Sequence, residues 1–89
     1  MKLALAHILV SHQYEAEDLQ KKIKQGEAFD VLARRFSTCP SAAEGGSLGT
    51  IDLRRLDATF AEAAQLLKPL EISPIVRTPF GYHLIKRLS

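Results

Sequence analysis

The sequence predicts an α+β fold with the element order β-α-α-β-α-β-β, and three observations support this prediction. An apolar run near the N-terminus has the length of a strand. Apolar residues then recur twice in succession at helical spacing, and a turn containing proline and glycine separates two apolar runs near the C-terminus. One strand followed by two closely joined helices indicates that the helices cover one face of a sheet.

The first predicted strand runs from Leu3 to Val10 and is apolar on both faces. That pattern is typical of a central strand that is covered on each side. His7 lies in the middle of this run. Its ring nitrogens need hydrogen-bond partners, because an unpaired buried polar group costs about 1–3 kcal/mol. Taken alone, such a histidine is more often a structural core residue than a functional one.

Two amphipathic helices are predicted next, over Tyr14–Gly26 and from Phe29 to Phe36. Gly26 is suited to end the first helix, since glycine readily adopts the left-handed conformation that often follows a helix. Three lysines of the first helix fall on its polar, solvent-facing side. The apolar positions are Tyr14, Ala16, Leu19 and Ile23 in the first helix and Phe29, Leu32, Ala33 and Phe36 in the second.

The loop from Phe36 to Gly49 interrupts the helical pattern and holds the only cysteine, Cys39, together with three of the five glycines. Glycine allows a positive φ or a close approach of the backbone to another group. Polar loops with a lone thiol often carry function. Two other interpretations stay open: Cys39 is a small buried hydrophobe, or the glycines only turn the chain into the next strand.

After this loop, Ser47–Ile51 is predicted to form a short strand. Asp57 is predicted to be the N-cap of a third helix, because its side chain can accept hydrogen bonds from the first turn. Pro69 is predicted to end that helix. The buried stripe of the helix is predicted to consist of Phe60, Ala64 and Leu67.

The last two strands are predicted over Pro74–Thr78 and Tyr82–Leu88. The segment Thr78-Pro-Phe-Gly81 between them has proline and glycine where a type I turn favours them. These two strands are therefore predicted to form a hairpin.

The composition predicts one globular domain spanning residues 1–89. Hydrophobic residues make up 46% of the chain and charged residues 25%, which argues against disorder. The net charge of +2 is too small to indicate a nucleic-acid or membrane partner, and neither is expected. No stretch approaches the roughly 20 apolar residues that span a bilayer.

The N-terminal sequence begins like a secretion signal, but its apolar run breaks at His7, well short of the length that such a signal needs. A single cysteine cannot form an internal disulfide, so the fold suits a reducing compartment. A cytoplasmic location is therefore expected, and we also expect a monomer.

His83 repeats the feature of His7, since it also lies inside a predicted apolar strand. If the two strands pair, the imidazoles can hydrogen-bond each other, and each then fixes the tautomer of the other. Thr78, at the near end of the hairpin, is placed to add a hydroxyl. Cys39 with either histidine is an alternative pair, a thiol nucleophile and its base, although no cysteine-protease pattern surrounds it. No cysteine or histidine spacing indicates a metal.

Five motifs, in order and at compatible spacing, resemble the parvulin family of peptidyl-prolyl cis/trans isomerases. They cover essentially all of the chain, which most resembles the small stand-alone bacterial parvulins. The resemblance implies a four-stranded antiparallel sheet surrounded by helices, the parvulin or FKBP-like fold. The motifs are Ala6-His-Ile-Leu-Val10, Phe36-Ser-Thr-Cys-Pro-Ser41, Gly45-Gly-Ser-Leu-Gly49, Phe60-Ala-Glu-Ala-Ala64 and Phe80-Gly-Tyr-His-Leu-Ile85.

The resemblance also implies roles for particular residues. His7 and His83 match the paired histidines of the family's catalytic site, and Thr78 matches their hydrogen-bonding neighbour. Cys39 matches the loop residue that faces the reacting amide. The positions that match the substrate-binding pocket are Leu48, Leu56 and Phe60 around the proline ring and Phe80 on the opposite wall.

Three positions depart from the family's pattern. Leu56 stands where many relatives have methionine, which keeps the pocket apolar but makes it stiffer. Arg54 and Leu70 stand where glycine is common, so the turns before and after the third helix are expected to differ. Neither glycine replacement touches a residue matched to the chemistry.

The predicted function is a peptidyl-prolyl isomerase, or rotamase, that acts on X-Pro bonds of flexible or unfolded protein segments. The reaction rotates a partial double bond against a barrier of about 18–20 kcal/mol and breaks no bond, so no cofactor is expected. The loop Ser11–Asp18 is acidic and lacks lysine and arginine, so an apolar residue rather than a phosphate is expected before the proline. The alternatives are a non-catalytic, chaperone-like binding module and, less favoured, a thiol-dependent hydrolase.

Overall fold

The computed structural model describes all 89 residues and contains four strands and three α-helices in the predicted order. Two short 3₁₀ turns, Pro40–Glu44 and Leu53–Arg55, lie before and after the second strand. None of the helices has both the length and the apolar character needed to cross a membrane. The strands are β1 (Lys2–Val10), β2 (Ser47–Asp52), β3 (Val76–Thr78) and β4 (Gly81–Arg87), and the helices are α1 (Gln13–Lys24), α2 (Phe29–Phe36) and α3 (Ala58–Gln65).

The sheet has the strand order β2-β1-β4-β3, and every neighbouring pair is antiparallel. β1 therefore lies between two strands, as its apolar character on both faces predicts. In the pairing of β1 with β4, Leu9 lies opposite His83 and His7 lies opposite Ile85. Because alternate residues of a strand point to the same face, His7 and His83 are diagonal neighbours on one face of the sheet.

One face of the sheet, which we call the closed face, is covered by α1 and α2. Leu19 of α1 and Leu32 of α2 are 2% and 0% exposed. β1 and β4 contribute alternate residues such as Ile8 and Leu84, so this face is a continuous apolar core. Its buried members are Ala6, Ile8, Val10, Ala16, Leu19, Phe29, Leu32, Ala33 and Leu84.

The other face, which we call the open face, packs against α3 and the turn before it. Three buried polar side chains, His7, Thr78 and His83, lie among its apolar residues. All buried polar side chains of the strands therefore lie on the open face. The buried apolar members of the open face are Leu3, Leu5, Leu53, Phe60, Ala64, Leu67, Val76 and Ile85.

Helix α3 begins after Asp57, as predicted, but it ends at Gln65 instead of continuing to Pro69. The chain leaves the helix through a tighter turn, in which the Leu67 N–H donates to the Ala64 carbonyl at 3.2 Å. Leu67 is still buried as predicted, because the chain continues along the core after the helix has ended.

The strand predicted over Pro74–Thr78 is shorter in the structure, since β3 begins at Val76. Pro74 has no N–H to donate to the sheet. Ser73 compensates, because its N–H donates to the Ile85 carbonyl at 2.7 Å and its hydroxyl accepts from the Ile85 N–H at 3.0 Å. The other element boundaries agree with the prediction to within two residues, and those of α2 agree at both ends.

The two positions where relatives commonly have glycine behave differently. Arg54 forms a bidentate ion pair with Asp52, with nitrogen–oxygen distances of 2.7 and 3.1 Å. That pairing lowers the pKa of Asp52 to about 2. Leu70 is the only non-glycine residue with a positive φ, at 70°, and a left-handed conformation costs such a residue roughly 1–2 kcal/mol. The departure at Leu70 therefore strains the backbone, whereas the one at Arg54 does not.

Candidate active site

The pairing of β1 with β4 brings the His7 and His83 side chains into direct contact. Their Nδ1 atoms are 3.0 Å apart. The rings are nearly parallel, with 5.2 Å between centroids and 19° between planes. A hydrogen bond between two Nδ1 atoms requires one N–H donor and one unprotonated nitrogen. The two imidazoles therefore share a single proton at this contact, as the sequence predicts for paired strands.

Thr78 extends the pair, because its Oγ1 lies 2.7 Å from His83 Nε2 and also accepts from the Phe80 N–H at 3.2 Å. With the Phe80 N–H as donor, the Thr78 hydroxyl proton points to His83 Nε2. His83 Nδ1–H then donates to His7 Nδ1, and the proton of His7 lies on Nε2. In the opposite order, His83 Nε2–H donates to Thr78 Oγ1 and His7 Nδ1–H donates to His83 Nδ1. The Thr78 hydroxyl proton then has no acceptor, and His7 Nε2 still has no partner. The first order therefore satisfies every polar atom of the set except His7 Nε2, which is buried without a partner.

Both imidazoles are uncharged at neutral pH. Burial and, secondarily, the charge of His83 lower the pKa of His7 from 6.5 to about 4. Burial also lowers the pKa of His83, while the Asp57 carboxylate acts in the opposite direction. The pair therefore offers hydrogen-bonding groups without adding charge to the open face.

Phe60 of α3 holds the two imidazoles in place from above the sheet. Its ring meets both rings edge-on, with centroid distances of 5.5 Å to His7 and 5.1 Å to His83. Asp57 Oδ1 accepts from the N–H groups of Thr59 and Phe60 at 2.9 and 3.2 Å. The cap of α3 therefore positions the residue that packs on the imidazole pair.

The loop Phe36–Gly49 is tied to β1 beside the imidazoles. The Thr38 N–H donates to the Leu9 carbonyl at 2.8 Å, and the His7 N–H donates to the Gly46 carbonyl at 2.9 Å. Gly46 has a φ of +84°, and a Cβ at this position would overlap the His7 carbonyl oxygen. Glycine is required for this approach, so Gly46 does more than turn the chain into β2.

These elements surround a small cavity of about 270 Å³ on the open face. All four predicted substrate-binding residues and three of the four predicted catalytic residues line it. Thr78 does not line the cavity and acts on it only through His83. The lining residues are His7, Leu9, Cys39, Leu48, Ile51, Leu56, Asp57, Phe60, Phe80 and His83.

The two aromatic walls of the cavity differ in exposure. Phe60 is 4% exposed, whereas Phe80, in the turn between β3 and β4, is 73% exposed. Large exposed apolar side chains beside a cavity often mark a binding surface. Phe60 is therefore fixed before any ligand arrives, and Phe80 leaves apolar surface for a ligand to cover.

Three lining residues were not identified as such from the sequence: Leu9, Ile51 and Asp57. Leu9 follows His7 by two positions on the same strand, so the alternation of β1 was a usable signal. Ile51 gave no signal, because its place depends on the pairing of β2 with β1. Asp57 was identified only as a helix cap, since nothing local shows that a cap also borders a cavity.

Cys39 lines the cavity but forms no hydrogen bond with either imidazole. The hydrogen bonds of His7 and His83 go to each other and to Thr78. A thiol nucleophile needs a base within hydrogen-bond reach, so the structure gives no support to the hydrolase alternative. No three side chains of His, Cys, Asp or Glu come together as a metal site would require.

Comparison with known proteins agrees with this architecture. A family model described as "Rotamase: PPIC-type PPIASE domain" matches residues 7–89. The foldase protein PrsA of Bacillus subtilis (strain 168) is 45% identical over 87 residues, which cover 97% of this chain and 30% of PrsA. The crystal structure of PrsA from Bacillus subtilis has a TM-score of 0.96 at 44% identity and covers 99% of this chain.

The solution structure of NmPin, the parvulin of Nitrosopumilus maritimus, has a TM-score of 0.88 at 39% identity, covering 99% of this chain and 96% of NmPin. The chain thus spans about a third of PrsA but nearly all of NmPin. The predicted four-stranded antiparallel sheet with surrounding helices is confirmed. With the family match over nearly the whole chain, this sheet, the imidazole pair and the apolar cavity lead to one conclusion: the chain belongs to the PPIC-type peptidyl-prolyl cis/trans isomerase family, the parvulins.

Proposed function

We propose that this domain binds proline-containing segments of other proteins and accelerates rotation about their X-Pro bonds without a covalent intermediate. The observation that supports this most directly is the neutral imidazole pair beside an apolar cavity. At about 270 Å³, the cavity is smaller than the roughly 300–1,000 Å³ typical of small-molecule sites. It suits one apolar ring, such as that of proline, with the chain on either side left outside.

The reaction needs no nucleophile and no cofactor, because only a partial double bond is rotated. The uncatalysed barrier is about 18–20 kcal/mol, and an enzyme lowers it by binding the twisted amide more tightly than the planar one. The planar amide is the more polar form, so moving it from water to apolar walls disfavours it relative to the twisted form. Leu48, Leu56 and Phe60 provide such walls.

The polar groups act on the amide as it loses its resonance. His7, His83 and Thr78 form one hydrogen-bonded set, so a change of donor at one ring is passed to the next. Cys39 lies on the loop side of the same cavity. We propose that its sulfur is a small, electron-rich neighbour of the rotating carbonyl and not a nucleophile.

A chaperone-like module that only holds unfolded segments would need the apolar cavity alone. It would give no reason for two buried imidazoles, each of which needs partners to offset its desolvation. Cis/trans exchange of a short apolar-Pro peptide separates the two functions. Catalysed exchange supports the isomerase, whereas saturable binding without faster exchange would overturn it in favour of the binding module.

The role of Cys39 is tested with two substitutions. We expect Cys39→Asp to retain measurable isomerase activity, because an acid is also small and electron-rich. We expect Cys39→Ala to lower activity while leaving the thermal unfolding unchanged. Ser41→Ala is the matched control, since Ser41 lies in the adjacent 3₁₀ turn and does not line the cavity.

Other outcomes distinguish the remaining interpretations of Cys39. A packing cysteine predicts that Cys39→Ala is almost neutral in activity and that Cys39→Asp unfolds the loop. A covalent mechanism predicts that both substitutions abolish turnover and that a peptide adduct accumulates on the unsubstituted protein.

We also propose that phosphate is not recognised before the proline. Helix α1 begins within the acidic segment Ser11–Asp18. In its first turn, Glu15 Oε1 is hydrogen-bonded to His12 Nδ1 at 2.9 Å. A phosphate dianion there would meet carboxylates instead of the basic groups that bind it. Faster isomerisation of a pSer-Pro peptide than of its Leu-Pro counterpart would contradict this proposal.

The monomeric state and the cytoplasmic location stay predictions. The single cysteine supports the cytoplasmic location, and the small net charge supports the absence of a nucleic-acid or membrane partner. Sedimentation equilibrium would test the oligomeric state, and cell fractionation would test the location. A dimer at micromolar concentration, or recovery outside the cytoplasm, would refute the corresponding prediction.

A further inference from the structure

Asp57 is the only side chain lining the cavity that is a carboxylate, and its two oxygen atoms have different surroundings. Oδ1 accepts both cap hydrogen bonds, from Thr59 and Phe60. Oδ2 has no hydrogen-bond or ion-pair partner within the protein, and the residue is partly exposed. The cap therefore occupies one oxygen atom and leaves the other without a partner, on a residue that lines the cavity.

No cation of the protein neutralises this carboxylate. Arg54 is engaged with Asp52 at 2.7 Å. Arg55 borders a separate depression together with Lys2 and Thr50. The Asp57 carboxylate acts electrostatically on His83, but burial keeps that imidazole neutral. A negative charge therefore borders an otherwise apolar cavity without a counter-ion.

We propose that Asp57 makes the site selective for substrate segments that carry a lysine or arginine next to the X-Pro pair, by pairing its free carboxylate oxygen with that cation. The inference rests on the proposed isomerase function. A proline ring in the cavity brings the neighbouring residues of the substrate within reach of its rim, and a lysine side chain can extend to Oδ2 while its methylenes cover apolar lining. An acidic neighbour at the same place would be repelled.

The test compares six peptides built on one Leu-Pro core. Lysine, glutamine or glutamate is placed either immediately before the leucine or immediately after the proline. We expect kcat/KM for the lysine peptide to exceed that for the glutamate peptide by about two- to fivefold in at least one series. This factor corresponds to the strength of an exposed ion pair. The difference should lie mainly in KM. The preference should disappear at about 1 M salt, where the screening length is about 3 Å.

The substitution Asp57→Asn removes the charge but keeps a side chain that caps helices well. The lysine-to-glutamate ratio should therefore fall close to one while α3 stays formed. Asp57→Ser, another good cap, is the second variant and should behave the same way if the asparagine variant folds poorly. Asp30→Asn is the matched control, because Asp30 is an exposed carboxylate on α2 that does not line the cavity. Its lysine-to-glutamate ratio should equal that of the unsubstituted protein.

Equal rates for lysine and glutamate peptides in both series would overturn the inference and leave the isomerase function intact. A preference that persists in both Asp57 variants would also overturn it, because the selectivity would then come from another charge. Failure of all six peptides to isomerise would instead overturn the proposed function, and this inference with it.

Discussion

The closed and open faces of the sheet are built from the same two central strands, yet only one of them carries a site. On the closed face, Ile8 and Leu84 pack under two helices, and every buried member of the cluster is apolar. On the open face, the neighbouring residues His7 and His83 meet each other at 3.0 Å. The alternation of side chains along β1 and β4 is what separates a stabilising face from a functional one.

The difference also lies in how completely each face is covered. Two helices, α1 and α2, cover the closed face, whereas α3, a helix of 8 residues, and a short turn cover the open face. The incomplete cover leaves the cavity between α3 and the loop that holds Cys39. A sheet with one complete and one incomplete cover can therefore keep its stability separate from its site. Matched substitutions on the two faces test that separation directly.

The largest effect is expected from Leu32→Ala on the closed face. Truncating this fully buried leucine should lower the free energy of unfolding by about 2–5 kcal/mol, while kcat/KM per folded molecule stays unchanged. Leu56→Ala on the open face is the matched substitution, since Leu56 is only half-buried and lines the cavity. It should cost less stability and reduce kcat/KM about tenfold by removing part of the pocket wall. Urea unfolding and peptide exchange measure both, and a similar loss of activity in the two variants would refute the separation of the faces.

The second prediction concerns pH, since the two buried histidines belong to the open face. The pKa of His7 is lowered from 6.5 to about 4 in the folded state, so between these values only the unfolded chain binds the proton. Stability therefore rises with pH across this interval and is lost as the pH falls from 6.5 to 4. The loss should be roughly 3 kcal/mol, at 1.36 kcal/mol per pKa unit. Unfolding in urea at several pH values measures it.

His12 supplies the control for this prediction. Its side chain is 61% exposed, and His12→Asn keeps a helix-capping residue at the start of α1. The variant should retain the full pH dependence, whereas His7→Asn should lose the part that His7 contributes. A His7 variant with an unchanged pH profile would show that the titrating group lies elsewhere.

The third prediction tests whether the imidazoles act as one unit. In a double-mutant cycle, His7→Ala and His83→Ala should deviate from additivity by about 0.5–3 kcal/mol, because removing either ring already leaves the other without its partner. The control cycle pairs His7→Ala with Val31→Ala, an exposed residue of α2, and should be additive. Additive effects of the two histidines would mean that their contact contributes nothing to stability.

The smallest effect is expected at Leu70, in the connection from α3 to β3. Leu70→Gly should remove roughly 1–2 kcal/mol of strain from the left-handed conformation. The added flexibility of glycine in the unfolded chain should cost about 0.5–1 kcal/mol of stability. A net gain of about 0.5–1 kcal/mol should appear as a higher thermal midpoint. Leu66→Gly is the control, since Leu66 is also largely exposed but has a φ of −77° and should only lose stability. Equal losses in both variants would show that Leu70 is not strained.

Much of the fold followed from local patterns in the sequence. The apolar run around His7, the two helical stretches and the Pro/Gly turn before His83 each reflect a short-range period, and the structure has these elements in the predicted order. The boundaries that failed, at Pro69 and Pro74, depend on how the chain packs after α3. Proline marks a position where a backbone hydrogen bond is missing. The end of the element depends on which tertiary contacts replace that bond, and before β3 the Ser73 hydroxyl accepts from the Ile85 N–H.

The candidate site divides in the same way. The sequence by itself determined which residue types are present, and the family motifs indicated that His7, Cys39, Thr78 and His83 meet. Only the tertiary structure decided that the histidine contact is Nδ1 to Nδ1, that Gly46 must pass against the His7 carbonyl, and that one Asp57 oxygen stays free beside the cavity. The physical reason is that alternation and capping act over a few residues of one chain segment, whereas a cavity and a proton order arise where β1, α3 and the Cys39 loop converge.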